Sequence, residues 1–127
     1  MLFRSELLAT TYRHSFNMPI LITRGNNVYG PNQYPEKLIP RFIDLLSNDK
    51  KLTIQGDGSC VRAFLHSHDT ATAFECILCL GEIGEIYNIG CDSGMEYSVL
   101  EVANLIVKLM KNSENVEDFI TFVEDRP

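Results

Sequence analysis

The sequence predicts an α/β protein that contains part of a doubly wound parallel sheet. Short apolar runs, as expected of buried strands, alternate with segments whose apolar residues recur at helical spacing. The first helical pattern, over residues 5–16, leads directly into an apolar run over residues 19–23. A helix followed at once by a buried parallel strand is typical of the middle of such a sheet.

The remaining elements follow from the same periodicities and from local end signals. Ser98-x-x-Glu101 is a capping box, and apolar residues behind it repeat at helical spacing. Another helix is expected to begin at a cap formed by Ser67 or Asp69. A further helix is predicted over residues 35–48, and strands over residues 52–54, 61–65, 86–90 and 119–123.

Composition narrows the classes of function. The chain has 127 residues, of which 45% are hydrophobic and 22% charged, as in an ordinary globular domain. Eleven basic and seventeen acidic residues give a net charge of −6, which argues against general nucleic-acid binding. No apolar run approaches the ~20 residues of a membrane span, and the start lacks the apolar core of a signal peptide. We therefore expect a cytoplasmic protein that does not bind membranes.

The four cysteines are expected to be buried free thiols. Cys76-x-x-Cys79 resembles half of a redox or zinc motif, but no second Cys or His pair stands at zinc spacing. The surrounding segment has the pattern of an apolar helix. We expect no metal site, and a reducing compartment.

A long loop over residues 24–40 follows the first predicted strand. Gly, Asn and Pro interrupt regular structure there, and open α/β sheets bind ligands where such loops leave the carboxyl ends of strands. Within the loop, Asn-Val-Tyr-Gly-Pro at 27–31 and Tyr-Pro-Glu-Lys-Leu-Ile-Pro at 34–40 resemble the substrate loop of nucleotide-sugar 4,6-dehydratases. These enzymes are extended short-chain dehydrogenase/reductases. The first motif alone indicates only that wider superfamily, whereas the second is more specific to dehydratases.

The resemblance covers residues 6–127 approximately and implies both a fold and a ligand. It implies part of a Rossmann-like sheet together with the C-terminal substrate-binding α/β region of the family. Gly-Asp-Gly-x-x-x-Arg62 and Asp-Arg126-Pro are similar to the two family segments whose arginines bind the nucleotide diphosphate. Guanidinium groups suit that role because they hold phosphate oxygens bidentately and stay charged. Arg41 lies outside the matched positions, so we expect it to contribute far less.

Other residues match family substrate contacts, although each also has an ordinary structural explanation. Asn27 could be only a turn residue and Lys37 only a surface lysine. Val28 stands where relatives often carry an Asn near the nicotinamide, so any cofactor contact there is weak. The resemblance assigns substrate contacts to Asn27, Lys37, Leu38, Thr53, Ile54, Gln55, Arg62 and Arg126, and cofactor contact to Val28.

Two departures from the family pattern limit what the chain can do. His66 and His68 fall where the family reads Tyr-Val-x; in a strand they would face one side, which leaves a metal or acid/base cluster with Asp69 as a minor alternative. The sequence also lacks the Tyr-x-x-x-Lys pair of the superfamily and the Gly-x-x-Gly-x-x-Gly turn that binds NAD. We therefore expect no catalytic residue here.

These features predict that residues 1–127 form a single partial domain, the substrate-binding portion of a dehydratase without its N-terminal NAD-binding half. The parent is expected to be a homodimer that uses NAD to oxidise C4 of dTDP-glucose or UDP-glucose, lose water across C5–C6 and return the hydride to C6. Two alternatives remain. One is another extended reductase, such as a UDP-glucuronate decarboxylase or an epimerase, and the other is a non-catalytic nucleotide-sugar-binding module.

Overall fold

The computed structural model describes residues 2–92, 94–113 and 115–124, and it has the predicted α/β fold. Its helices are α1 (Leu2–Phe16), α2 (Leu38–Ser47), α3 (Ser67–Leu80) and α4 (Val99–Lys111), with a short 3-10 turn at Glu117–Phe119. Its strands are β1 (Ile22–Gly25), β2 (Asn27–Tyr29), β3 (Leu52–Gln55), β4 (Val61–His66), β5 (Ile86–Ile89), β6 (Glu96–Ser98) and β7 (Ile120–Val123).

Parallel pairing dominates the sheets, as in a doubly wound protein. Strand β1 pairs with β5, β2 with β4, and β3 with β7, all in parallel. Strand β6 adds to the other edge of β4 in the antiparallel direction. The parallel pairs join segments that are far apart in sequence, and the intervening helices make the crossovers.

The hydrophobic core lies between α2, α4 and β3. Both helices carry one apolar face, which turns inward against the strand. The capping box starts α4 as predicted: Ser98 Oγ accepts from the backbone N–H of Glu101 at 3.1 Å, and Glu101 Oε2 accepts from that of Ser98 at 2.7 Å. The buried core residues are Phe42, Leu46, Leu52, Ile54, Val102, Ala103, Ile106 and Val107.

The first predicted strand begins later and is less buried than expected. Regular pairing starts at Ile22 instead of Pro19, and the strand residues are half-buried or exposed. In the described ranges β1 and β5 pair only with each other, so the outer edge of each strand has no strand neighbour there. The predicted loop over residues 24–40 also contains a strand, β2, whose partner β4 lies far along the chain.

Helix α3 is capped by a different residue from those predicted. The cap is His66, whose Nδ1 accepts a hydrogen bond from the backbone N–H of His68 at 3.3 Å. Asp69 lies in the first turn, where its carboxylate interacts favourably with the positive end of the helix dipole. The prediction that Ser67 or Asp69 caps the helix is therefore wrong.

The prediction of buried cysteines is also wrong, although the thiols are free. Cys60, Cys76 and Cys79 are exposed and Cys91 is half-buried. The reason for the two helical cysteines is that α3 leaves much of its surface uncovered, including Leu78, which is 77% exposed. Within the part of the chain that the structure describes, no three His, Cys, Asp or Glu residues are grouped as metal ligands, and no helix is long and apolar enough to cross a membrane.

Candidate functional site

A cleft of about 720 Å³ opens between β2, α2, the turn after β3, and β4. Strand β2 pairs with β4 so that Asn27 lies opposite Phe64. Residues two apart on a strand share a face, so Arg62 is on the same side of β4 as Phe64. Asn27 and Arg62 accordingly line the same cleft.

The turn from β3 to β4 forms one wall of the cleft. Gly56 and Gly58 have φ angles of 60° and 73°, in the left-handed region that favours glycine. Asp57 Oδ1 accepts a hydrogen bond from the backbone N–H of Ser59 at 2.9 Å. Hydrogen bonds from the Ser59 side chain and backbone lower the pKa of Asp57, so this carboxylate stays charged. The backbone N–H of Leu100 also donates to the carbonyl of Gly58 at 3.1 Å, which ties the turn to α4.

Helix α2 forms the opposite wall. Lys37 is its N-cap residue, and the Lys37 carbonyl accepts from the backbone N–H of Arg41 at 2.9 Å. Pro40 falls in the first turn, where a missing N–H costs nothing, so the helix tolerates it. Side chains four residues apart on a helix are neighbours, and both Lys37 and Arg41 line the cleft. Arg41 therefore lies within the candidate site, although its sequence position suggested otherwise.

The cleft brings most of the predicted site residues together. In the β3 strand, Thr53 and Gln55 face outward, whereas Ile54 is 1% exposed and belongs to the core instead of the cleft wall. Arg126 lies outside the described residues. The predicted residues that line the cleft are Asn27, Val28, Lys37, Leu38, Thr53, Gln55 and Arg62.

The described side chains that line the cleft have a net positive charge, whereas the net charge of the whole chain is negative. Three cationic side chains, of Lys37, Arg41 and Arg62, and two acidic ones, of Glu36 and Asp57, line it, in a chain whose net charge is −6. None of the three cationic side chains makes a hydrogen bond or ion pair to any residue in the described ranges. Unpaired guanidinium and ammonium groups at one opening suit an anionic ligand, phosphate above all.

The residues present do not form an NAD site by themselves. Val28 lines the cleft and offers an apolar side chain, but its carbonyl already accepts from Gln33 Nε2 at 2.8 Å. The chain has no glycine-rich turn for a dinucleotide pyrophosphate. The alternative cluster of His66 and His68 assumed that both residues lie in one strand. His66 ends β4 but His68 lies in α3, so that assumption is wrong.

Comparisons with known proteins identify the family of the chain. Residues 3–90 match the model of the NAD dependent epimerase/dehydratase family. The chain is 50% identical over 123 residues to the Arabidopsis thaliana trifunctional UDP-glucose 4,6-dehydratase/UDP-4-keto-6-deoxy-D-glucose 3,5-epimerase/UDP-4-keto-L-rhamnose-reductase RHM2, covering 97% of this chain and 18% of that protein. It is 44% identical over 126 residues to the Bos taurus dTDP-D-glucose 4,6-dehydratase, covering 97% of this chain and 35% of the relative.

A solved structure extends the likeness to the fold. The dTDP-glucose 4,6-dehydratase DesIV from Streptomyces venezuelae, with NAD and TYD bound, superposes with a TM-score of 0.85 at 34% identity, over 96% of this chain and 36% of DesIV. The chain thus spans well under half the length of each of these proteins. The resemblance to nucleotide-sugar dehydratases is confirmed, and the chain belongs to the NAD-dependent epimerase/dehydratase family.

Proposed function

We propose that this chain is the nucleotide-sugar-binding portion of an NAD-dependent 4,6-dehydratase that acts on dTDP-glucose or UDP-glucose. The observation that carries the proposal is the cleft, where cationic side chains that have no partner among the described residues converge in an acidic chain. The resemblance of residues 34–40 to dehydratases supports the choice of reaction over decarboxylation or epimerisation. Residues 1–127 would then be one partial domain of a longer protein.

The family resemblance suggests a role for each of these residues, and their shared place in the cleft supports it. Arg62, near the start of β4, holds the diphosphate by charge-assisted hydrogen bonds, and Arg126 is proposed to add a second guanidinium. Asn27 donates to the same phosphates from β2. Lys37 supplies a mobile point charge from the start of α2.

A second group of residues is proposed to hold the nucleoside. Thr53 and Gln55 face outward from β3 and border the base, since their side chains can both donate and accept hydrogen bonds. Ile54 between them supports that strand from the core. Leu38, half-buried in the first turn of α2, gives an apolar contact. Together these residues orient the ligand, and the diphosphate supplies the charge that is recognised.

Bond-making in the parent is assigned to residues outside this chain. We propose that NAD, which would supply the hydride chemistry, is held mainly by residues outside this chain and that Val28 adds an apolar contact. A cytoplasmic homodimer is proposed for the parent on the same family resemblance. An upstream Gly-x-x-Gly-x-x-Gly and Tyr-x-x-x-Lys in the source gene would favour the enzyme over a non-catalytic binding module.

Calorimetric titration of UDP and dTDP into the purified chain tests the proposal. Arg62→Ala should weaken binding by roughly 1.5–3 kcal/mol, the scale of hydrogen bonds to charged groups, or about 10- to 150-fold. Arg13→Ala removes the same charge from α1, outside the cleft, and should leave the affinity unchanged. Equal losses in the two variants, or no binding by the wild type, would contradict the proposal.

A further inference from the structure

Among the described cations that line the cleft, Arg41 is the one that matches no expected ligand position, and its place on α2 is fixed by packing. The next residue, Phe42, is 1% exposed, and Leu46, one turn later, is fully buried. These two side chains anchor the helix in the core, which leaves the adjacent face of α2 turned to the cleft. Arg41 thus projects from a rigid element, as does Lys37 one turn before it.

The side chain of Arg41 has no hydrogen bond or ion pair to any residue in the described part of the chain. Two cations outside the cleft are paired by contrast: Arg24 with Glu6 and Lys111 with Asp49, each at 2.6 Å. Asp57, an acidic residue of the cleft, already accepts from the backbone N–H of Ser59 in its own turn. The guanidinium of Arg41 therefore keeps all its donors available to a ligand.

The two walls of the cleft carry cations on opposing elements. Arg62 belongs to β4, which the core and β2 hold in place, while Arg41 belongs to α2. A ligand with two phosphates presents several oxygens in different directions, so a single arginine cannot satisfy them all. Cations on both walls reach such a ligand from two sides.

We propose that Arg41 is a further cationic contact for the phosphates of the nucleotide, which adds a guanidinium on α2 to the ammonium group of Lys37 and faces Arg62 on β4. This inference rests on the proposed function and adds to it a residue and a binding geometry. It also predicts that a lysine at position 41 restores only part of the affinity, because an ammonium group cannot make the paired hydrogen bonds of a guanidinium.

The test compares two probes, UDP and uridine, which lacks the phosphates. Nuclear magnetic resonance titrations would be made on the wild-type chain and on Arg41→Gln, Arg41→Lys and Arg13→Gln. Arg41→Gln should weaken UDP binding about tenfold and leave uridine binding unchanged. The affinity of Arg41→Lys for UDP should lie between that of Arg41→Gln and that of the wild type. Added salt should weaken UDP binding less in Arg41→Gln than in the wild type, because one charge contact is gone.

The outcomes separate this inference from the proposed function. If the wild type binds UDP and Arg41→Gln binds it as tightly as Arg13→Gln does, Arg41 is no phosphate contact and the proposed function still stands. Equal weakening of UDP and uridine by Arg41→Gln would show that the residue shapes the cleft, which also overturns the inference. Absence of UDP binding by the wild type would overturn the proposed function and this inference together.

Discussion

Gly58 lies in the turn that forms one wall of the cleft, and replacing it with alanine should destabilise the fold. Its φ of +73° is in the left-handed region, which costs an L-residue about 1–2 kcal/mol. An added Cβ would also lie 2.9 Å from Cγ2 of Ile54 and 3.1 Å from Cβ of Leu100. Ile54 is 1% exposed and cannot move aside, so overpacking adds about 1–3 kcal/mol.

The two costs together predict a loss of about 2–5 kcal/mol in the free energy of unfolding of Gly58→Ala. Urea denaturation followed by circular dichroism measures this loss. Gly94 has a φ of +92° with no atom within 4 Å of an added Cβ, so Gly94→Ala should show only the backbone cost of about 1–2 kcal/mol.

A second control, Gly25→Ala, involves neither a positive φ nor a close neighbour of the added Cβ. Gly25 has no neighbour within 4 Å of an added Cβ and no positive φ, so Gly25→Ala should change stability by less than about 0.5 kcal/mol. The loss of stability should therefore be largest in Gly58→Ala, smaller in Gly94→Ala and smallest in Gly25→Ala. This order tests both the cost of a positive φ and the cost of the steric clash. A loss in Gly58→Ala no larger than that in Gly94→Ala would refute the predicted clash with Ile54 and Leu100.

Three further predictions concern the cap of α4, the exposed apolar surface and catalysis. Hydrogen bonds from the Ser98 backbone and side chain lower the pKa of Glu101 below its ordinary 4.5, so the contribution of the cap is present above that pH and lost as the pH falls through the lowered value. Denaturation at a series of acidic pH values should therefore show a smaller loss of stability in Glu101→Gln than in the wild type, and identical curves would contradict this. Leu8 on α1 is 60% exposed beside other apolar side chains, so the chain should bind a hydrophobic dye and Leu8→Lys should reduce the fluorescence; a wild type that binds no dye would oppose this. The purified chain should not turn over dTDP-glucose with NAD, since it lacks the Tyr-x-x-x-Lys pair, and measurable turnover would disprove its assignment as a binding portion alone.

Local signals in the sequence predicted the elements that depend on local contacts. The capping box of Ser98 and Glu101, with its apolar repeat, places α4 almost to the residue. The helix predicted over residues 35–48 from its apolar repeat is α2, which begins at Leu38 and buries Phe42 and Leu46 of that repeat. Strands β2 and β6 were missed because each has three residues and depends on pairing with the distant β4.

The candidate site was predictable to the extent that motifs carried it. The motifs around Asn27, Lys37 and Arg62 identified residues that the fold brings into one cleft. Arg41 was missed as a cleft residue because its place there depends on the tertiary direction of the α2 face, which no motif records. His66 was missed as the cap of α3 because histidine is not among the residues that usually cap helices.

The central claim is that the cleft between α2 and β4 binds a nucleotide diphosphate. A chemical-shift map of the isotopically labelled chain titrated with UDP tests it directly, because every backbone amide reports its own surroundings. Binding in the cleft should give the largest shifts at Asn27, Lys37, Gln55 and Arg62, on all walls of the cleft. Shifts confined to α1 or α3, or no shifts at ligand concentrations that saturate nucleotide-binding proteins, would contradict it.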